Sequence, residues 1–160
     1  MPEVIRVGMG EYALARAPGE LATLGLGSCV GVCLYDPLLK LGALAHIMLP
    51  DSVVAKDTGN PTKFADTAIP FLLGELVKHG AHPGRLVVKI AGGAQMFSGS
   101  ANGRESVGPR NVAAVEKALS AAGLSISAKS VGGNTGKSVT LDLETGELRL
   151  RTLQVESLSL

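Results

Sequence analysis

The sequence predicts an α+β fold in which mixed and antiparallel β-sheets pack against two principal helices. Three observations carry this reading. Apolar, β-branched runs alternate with glycine and proline punctuation, two segments show helical periodicity, and the absence of tryptophan leaves the core to Val, Leu, Ile, Ala and Met. With 160 residues, 46% hydrophobic and 18% charged, the chain has the size and composition of one globular domain, so residues 1–160 are read as a single unit.

Strand-type stretches run from Val4 to Val7, Glu20 to Leu26, Cys29 to Tyr35 and Leu41 to Leu49. A polar loop from Asp51 to Pro61 follows. Lys63 to His79 carries Phe64, Ala68, Leu72 and Leu76 at four-residue spacing and stops at Gly80, which predicts a helix. Pro70 lies inside it, so a kink or a shortened first turn is expected there. Arg85 to Ile90 reads as a buried strand and Ala91 to Gly108 as a Gly- and Ser-rich loop. The second helix has Pro109 in its first turn, Val112, Val115 and Leu119 on one face, and Gly123 as its left-handed cap. Strands at Ser125 to Val131, Ser138 to Leu143 and Glu147 to Leu153 close the chain, the last two joined by a tight turn from Glu144 to Gly146. The expectation is eight strands and two helices, with no internal repeat.

Composition removes several function classes. A formal net charge of +1 with scattered Lys and Arg offers no basic stripe for phosphates, and 3% aromatic content offers no stacking platform for bases, so nucleic acid is not an expected partner. Met1 to Arg6 lacks the pattern of a secretory signal, and no run approaches the roughly 18 apolar residues of a membrane span. A cytoplasmic protein with reduced thiols and no membrane insertion is expected.

The chemistry concentrates in Thr23-Leu-Gly-Leu-Gly-Ser-Cys29 and in Gly42-Ala-Leu-Ala-His46-Ile-Met-Leu-Pro50. A turn at Asp36-Pro37 makes a hairpin of the flanking strands. If Asp36 pairs with Leu41, Cys29 and His46 fall on one face and diagonal to each other. A thiol beside an imidazole is the minimum equipment for nucleophilic attack on an amide carbon, because the imidazole takes the proton and leaves a thiolate. Gly25, Gly27 and Gly31 thin the bulk around Cys29 and free local amides to face a developing oxyanion. Thr23, on the preceding strand, has a hydroxyl that could hold His46 in one tautomer. Spacing alone leaves a second reading open, in which Cys29 is a small buried apolar residue and His46 a satisfied core histidine.

Other motifs lead nowhere catalytic. Cys33 lies four residues from Cys29, roughly 13 Å along a strand, too far to share a zinc ion or a disulfide, and reads as packing. His79 and His82 flank a helix end and read as surface residues. Gly25-x-Gly27-x-x-x-Gly31 has the wrong final spacing for a dinucleotide fingerprint. Gly136-Lys137-Ser138 lacks the first glycine of a phosphate loop, since position 131 is Val.

Six segments together resemble the successive motifs of the CheD chemoreceptor glutamine deamidases, in order and over nearly the whole chain. They are Thr23-Leu-Gly-Leu-Gly-Ser-Cys29, Ala45-His46-Ile-Met-Leu-Pro50, Lys63-Phe-Ala-Asp66, Lys89-Ile-Ala-Gly-Gly-Ala-Gln-Met96, Arg110-Asn111 and Gly132-Gly-Asn134. The resemblance implies a fold related to the cytotoxic necrotizing factor deamidases, with Cys29 as nucleophile, His46 as base and Thr23 as orienting residue. It places Ser28, Gly27, Phe64 and Asn134 as candidates for the wall of the site, and implies no metal or organic cofactor. The implied partners are the cytoplasmic helical domain of a chemoreceptor, as substrate, and the CheC phosphatase; a monomer is expected. The competing reading is a non-catalytic chemotaxis adaptor that binds receptors or CheC. This chain has Phe64 where the family often has Tyr, and Lys137 where it often has Arg.

Overall fold

A computed structural model describes residues 3–53, 59–95, 107–152 and 158–160. Its strands are β1 (Val4–Val7), β2 (Tyr12–Arg16), β3 (Glu20–Leu26), β4 (Val30–Asp36), β5 (Leu41–Ile47), β6 (Val87–Gly92), β7 (Ile126–Val131), β8 (Lys137–Asp142), β9 (Leu148–Arg151) and β10 (Leu158–Ser159). The helices are α1 (Ala65–Lys78) and α2 (Val107–Ala121). The α+β class with two helices and mixed sheets holds; the strand count does not, because β2 and β10 went unread. Tyr12 to Arg16 offers only five residues and a proline soon after, too little periodicity to register from sequence.

Among the described residues ten strands divide into two five-stranded sheets, ordered β1-β3-β8-β9-β10 and β2-β5-β4-β6-β7. Pairing is antiparallel except for β1 with β3 and β6 with β7. The parallel β6–β7 pair needs a crossover, which α2 supplies. Every residue of β4 and β5 is buried, because the second sheet is covered on both faces. Val30, Val32, Leu34, Leu41, Ala43, Ala45 and Ile47 pack against α1 and α2. Cys33, Tyr35, Leu44 and Ala91 pack against Leu21, Leu26, Val139 and Leu141 of the first sheet. The molecule is thus three layers deep, sheet on sheet on helices. Strands covered on both faces read as continuous apolar runs rather than alternating ones, as β4 and β5 do.

The helices explain themselves by their faces. Ala65, Ala68, Ile69, Leu72 and Leu76 of α1 are buried, close to the predicted stripe. Each large one contributes about 1.5–3 kcal/mol by leaving water. α1 begins at Ala65 rather than Lys63, and Pro70 lies beyond its first turn. A 3-10 turn, Pro61–Lys63, capped by the Asn60 side chain accepting from the Thr62 N–H, precedes α1, which then runs on through exposed Pro70. α2 includes Val107 and buried Gly108, so the glycine read as the end of a loop is helical. At its other end Ala91 and Gly92 belong to β6, so the loop begins later than expected; its residues 96–106, Met96 among them, lie outside the described residues, as does Leu153 of the last predicted strand. No helix among the described residues is long and apolar enough to cross a membrane.

Candidate active site

The β4–β5 hairpin pairs Asp36 with Leu41, Gly31 with His46 and Val30 with Ile47, the register expected from the Asp36-Pro37 turn. Residues opposite one another share a face, so His46 and Gly31 point to the first sheet while Val30 and Ile47 point to the helices. Cys29 stands one residue before β4 and packs with the inter-sheet cluster. Thiol and imidazole therefore lie on the same side of the hairpin, at the seam between the two sheets.

Thr23 reaches that seam from β3. Its Oγ1 lies 2.7 Å from His46 Nδ1 and 2.7 Å from the Val7 carbonyl oxygen on β1. A carbonyl can only accept, so the single hydroxyl proton goes to Val7. Oγ1 must then accept from a protonated Nδ1. This network assigns the Nδ1–H tautomer and leaves Nε2 as a bare acceptor. His46 is 0% exposed and burial pushes its imidazole below the ordinary value of 6.5, which keeps the ring neutral at pH 7. Among the described residues Nε2 has no hydrogen-bond partner, as is also true of Asn111 Oδ1. Burial pushes the half-buried Cys29 thiol above 9.0. Thiol and imidazole are thus both uncharged at rest.

Several backbone bonds hold the Cys29 loop against two glycine turns. The Gly93 N–H donates to the Cys29 carbonyl and the Ala94 N–H to the Gly27 carbonyl, each at 2.8 Å. The Gly132 N–H donates to Gly92 O, and the Gln95 N–H to Gly133 O. Gly92 has φ +106, and a Cβ there would sit 2.3 Å from the Cys29 carbonyl oxygen, so only glycine lets the two chains close up. Neither the Ser28 nor the Cys29 N–H donates to another described residue. Gly31 has a different use from the one its position suggested. A Cβ there would meet Leu26 Cδ1 at 3.0 Å across the sheets, so its missing side chain serves packing rather than access to the thiol.

Of the candidate wall residues, half-buried Gly27 and Ser28 lie on the Cys29 loop. Exposed Asn134 ends the glycine turn that is tied to that loop through Gln95. Phe64 stands apart: it is 2% exposed, at the N-cap of α1, in a bridge with Leu49. Lys137 sits beside Leu26 and its Nζ donates to both Ser130 oxygens at 2.9 Å, tying the sheets together. Cys33 is buried and its thiol is pushed to about 12, in keeping with a packing role. Sequence reasoning gave Asn111 no role. It is 0% exposed, and its Nδ2 donates to Ser28 O and Met48 O. The Arg110-Asn111 motif marked the residue, but only the position of α2 brings it to those carbonyls, so its contacts could not be read from the sequence. A groove of about 830 Å3 between α1 and α2, with Pro70, Gly74 and Ala118 in its lining, includes none of Thr23, Cys29 and His46. Among the described residues, no group of three His, Cys, Asp or Glu is placed to hold a metal ion.

An α+β sandwich whose inter-sheet seam holds a hydrogen-bonded Thr23–His46 pair, with the Cys29 thiol on the same side of the hairpin, defines the class of small domain. Comparison with known proteins narrows it. The family model described as CheD chemotactic sensory transduction matches residues 48–152. A protein of Thermotoga maritima named chemoreceptor glutamine deamidase CheD is 50% identical over 145 residues, 91% of this chain and 89% of its own. Proteins named probable chemoreceptor glutamine deamidase CheD, from Moorella thermoacetica and Syntrophomonas wolfei, are 48% and 46% identical over 154 residues each. Those alignments cover 95% and 96% of this chain, and 92% and 96% of theirs. The chain belongs to the CheD family.

Proposed function

We propose that this chain is a chemoreceptor glutamine deamidase, a hydrolase that converts receptor glutamine side chains to glutamate with Cys29 as nucleophile, His46 as base and Thr23 as the residue that orients it. The observation that carries the reading is the hydrogen-bond chain Val7–Thr23–His46, which leaves Nε2 unprotonated, and without a partner among the described residues, on the side of the hairpin that holds Cys29. Most buried polar groups are hydrogen-bonded, so an open ring nitrogen favours a working histidine over a core one.

The Cys29 Sγ–H gives its proton to His46 Nε2 as sulfur bonds to the side-chain amide carbon, and the carbonyl electrons move to oxygen. The Ser28 and Cys29 N–H groups face that oxyanion. The oxyanion then collapses, the C–N bond breaks, and the imidazolium proton leaves with the nitrogen as ammonia. Water attacks the thioester while passing a proton to Nε2. The C–S bond breaks, sulfur recovers the proton, and glutamate leaves. In this reading residues 1–160 act as one monomeric cytoplasmic domain related in fold to the cytotoxic necrotizing factor deamidases, and CheC is a second partner that competes with receptor.

Ammonia release from a purified receptor cytoplasmic fragment tests it, with the intact mass of the fragment followed in parallel. Ammonia with an uncut fragment supports the deamidase. Fragment cleavage would mean a thiol peptidase, and binding to receptor or CheC without either product would mean an adaptor.

A further inference from the structure

The β4–β5 ladder ends with the pair Val30 and Ile47, so it holds neither Ser28 and Cys29 on one strand nor Met48 on the other. Asn111, in the second turn of α2, spans that gap. Its buried Nδ2 donates at 2.9 Å to the Ser28 carbonyl and at 2.9 Å to the Met48 carbonyl. One of these carbonyls stands immediately before Cys29, the other two residues after His46. Both amide hydrogens are thus used, while Oδ1 has no partner among the described residues. The donor end is what the position requires. An aspartate of the same shape would set oxygen against two carbonyl oxygens. The helix carrying Asn111 is itself seated on the nucleophile loop's support. A Cβ on Gly108 would lie 2.1 Å from the Ala94 carbonyl oxygen, and the Ala94 N–H in turn bonds Gly27 O.

We infer that Asn111 is a positioning residue, a clasp beyond the last ladder pair that fixes the Cys29 thiol relative to the His46 imidazole. The inference rests on the reading that these two groups form the reacting pair. Releasing both carbonyls lets the two chain ends part, and a misplacement of about 1 Å between reacting groups costs on the order of 100-fold in rate.

The experiment measures kcat and KM on receptor fragment, together with the pH dependence of Cys29 alkylation by iodoacetamide, for the wild type, Asn111→Ala, Asn111→Ser and His46→Ala. Cys33 is buried with its thiol pushed to about 12, so alkylation reports Cys29 alone. Urea unfolding gives the folded fraction of each variant. The expected result is folded Asn111→Ala with kcat about 100-fold down and KM within about twofold, its alkylation profile displaced toward that of His46→Ala. Asn111→Ser, which retains one short donor, falls between the two. Folded Asn111→Ala with wild-type kcat and alkylation profile would overturn the inference, as would a loss that merely follows the unfolded fraction. If alanine prevents folding, Asn111→Ser is judged by the same criteria. A wild type that releases no ammonia yet shows a His46-dependent alkylation profile would remove the deamidase reading only, and the alkylation comparison would still decide Asn111.

Discussion

Thr23 has one hydroxyl proton and two neighbours within 2.7 Å, and that count decides the state of His46. With Val7 O taking the proton, the ring must donate through Nδ1. Thr23→Val keeps the shape but removes the acceptor, leaving a buried N–H and a buried carbonyl unsatisfied. Leaving such groups unpaired costs about 1–3 kcal/mol, which at the transition state is about 10- to 100-fold in kcat. Steady-state kinetics on folded Thr23→Val tests this; an unchanged kcat would mean that the hydroxyl has no orienting part. The same residues set the pH profile. On the proposed roles, protonating His46 removes the base, and burial holds its imidazole below 6.5, so the acid limb of kcat/KM is expected below pH 6.5. Burial holds the Cys29 thiol above 9.0, so the alkaline limb, where the proton needed by departing ammonia is lost, is expected above pH 9.0. The two limbs belong to the pair as a unit. An acid limb above pH 6.5 would contradict the neutral-pair account.

At the scale of elements, one end of the β4–β5 hairpin carries the proposed reacting pair and the other is a structural end. Asp36 closes the structural end. It is 0% exposed and accepts from the Leu38, Leu39 and His82 N–H groups and from the Arg85 guanidinium, with Nη2 at 2.8 Å. Arg85 beside it, with those amides, holds the carboxyl at about 2 against an ordinary 3.8. A depressed carboxyl stabilises the fold fully above pH 3.8 and loses that contribution as pH falls through about 2. Arg85→Ala leaves the buried carboxylate without its cation. Because the arginine is 35% exposed, the loss is expected to be smaller than for a fully buried pair and to show as a lowered urea midpoint. Urea denaturation at pH 7 checks it, with the specific activity of the folded fraction expected to stay at the wild-type level. This hairpin was the most legible element in the sequence, because one turn at Asp36-Pro37 fixes every pair up to Val30 with Ile47. The clasp from Asn111 was not legible as a contact: the Arg110-Asn111 motif could be seen, but the bond to Ser28 depends on how a residue 83 positions further along the chain docks.

Across the whole molecule, the site exists because two sheets meet. β3 belongs to one sheet and β4 and β5 to the other, so Thr23 and His46 come into contact only when the sandwich closes. Elements with strong periodicity were readable from sequence: both helices, and the runs of β4 and β5 that are covered on both faces. The partition into two sheets was not, because β2, with its intermediate burial, carries no clear alternation, and the parallel β1–β3 pairing joins strands that periodicity alone cannot match. Gly31 shows the limit from the other side. Its place beside Cys29 suggested access, whereas Leu26 and Val139 of the opposing sheet occupy the space a side chain would need. The central claim is that this closed sandwich turns the Cys29–His46 pair on glutamine side chains. Peptide mass spectrometry of a receptor cytoplasmic fragment incubated with wild type, Cys29→Ala and His46→Ala tests it most directly. The account predicts glutamine-to-glutamate conversion with the wild type alone; conversion by folded Cys29→Ala, or none by folded wild type, would contradict it.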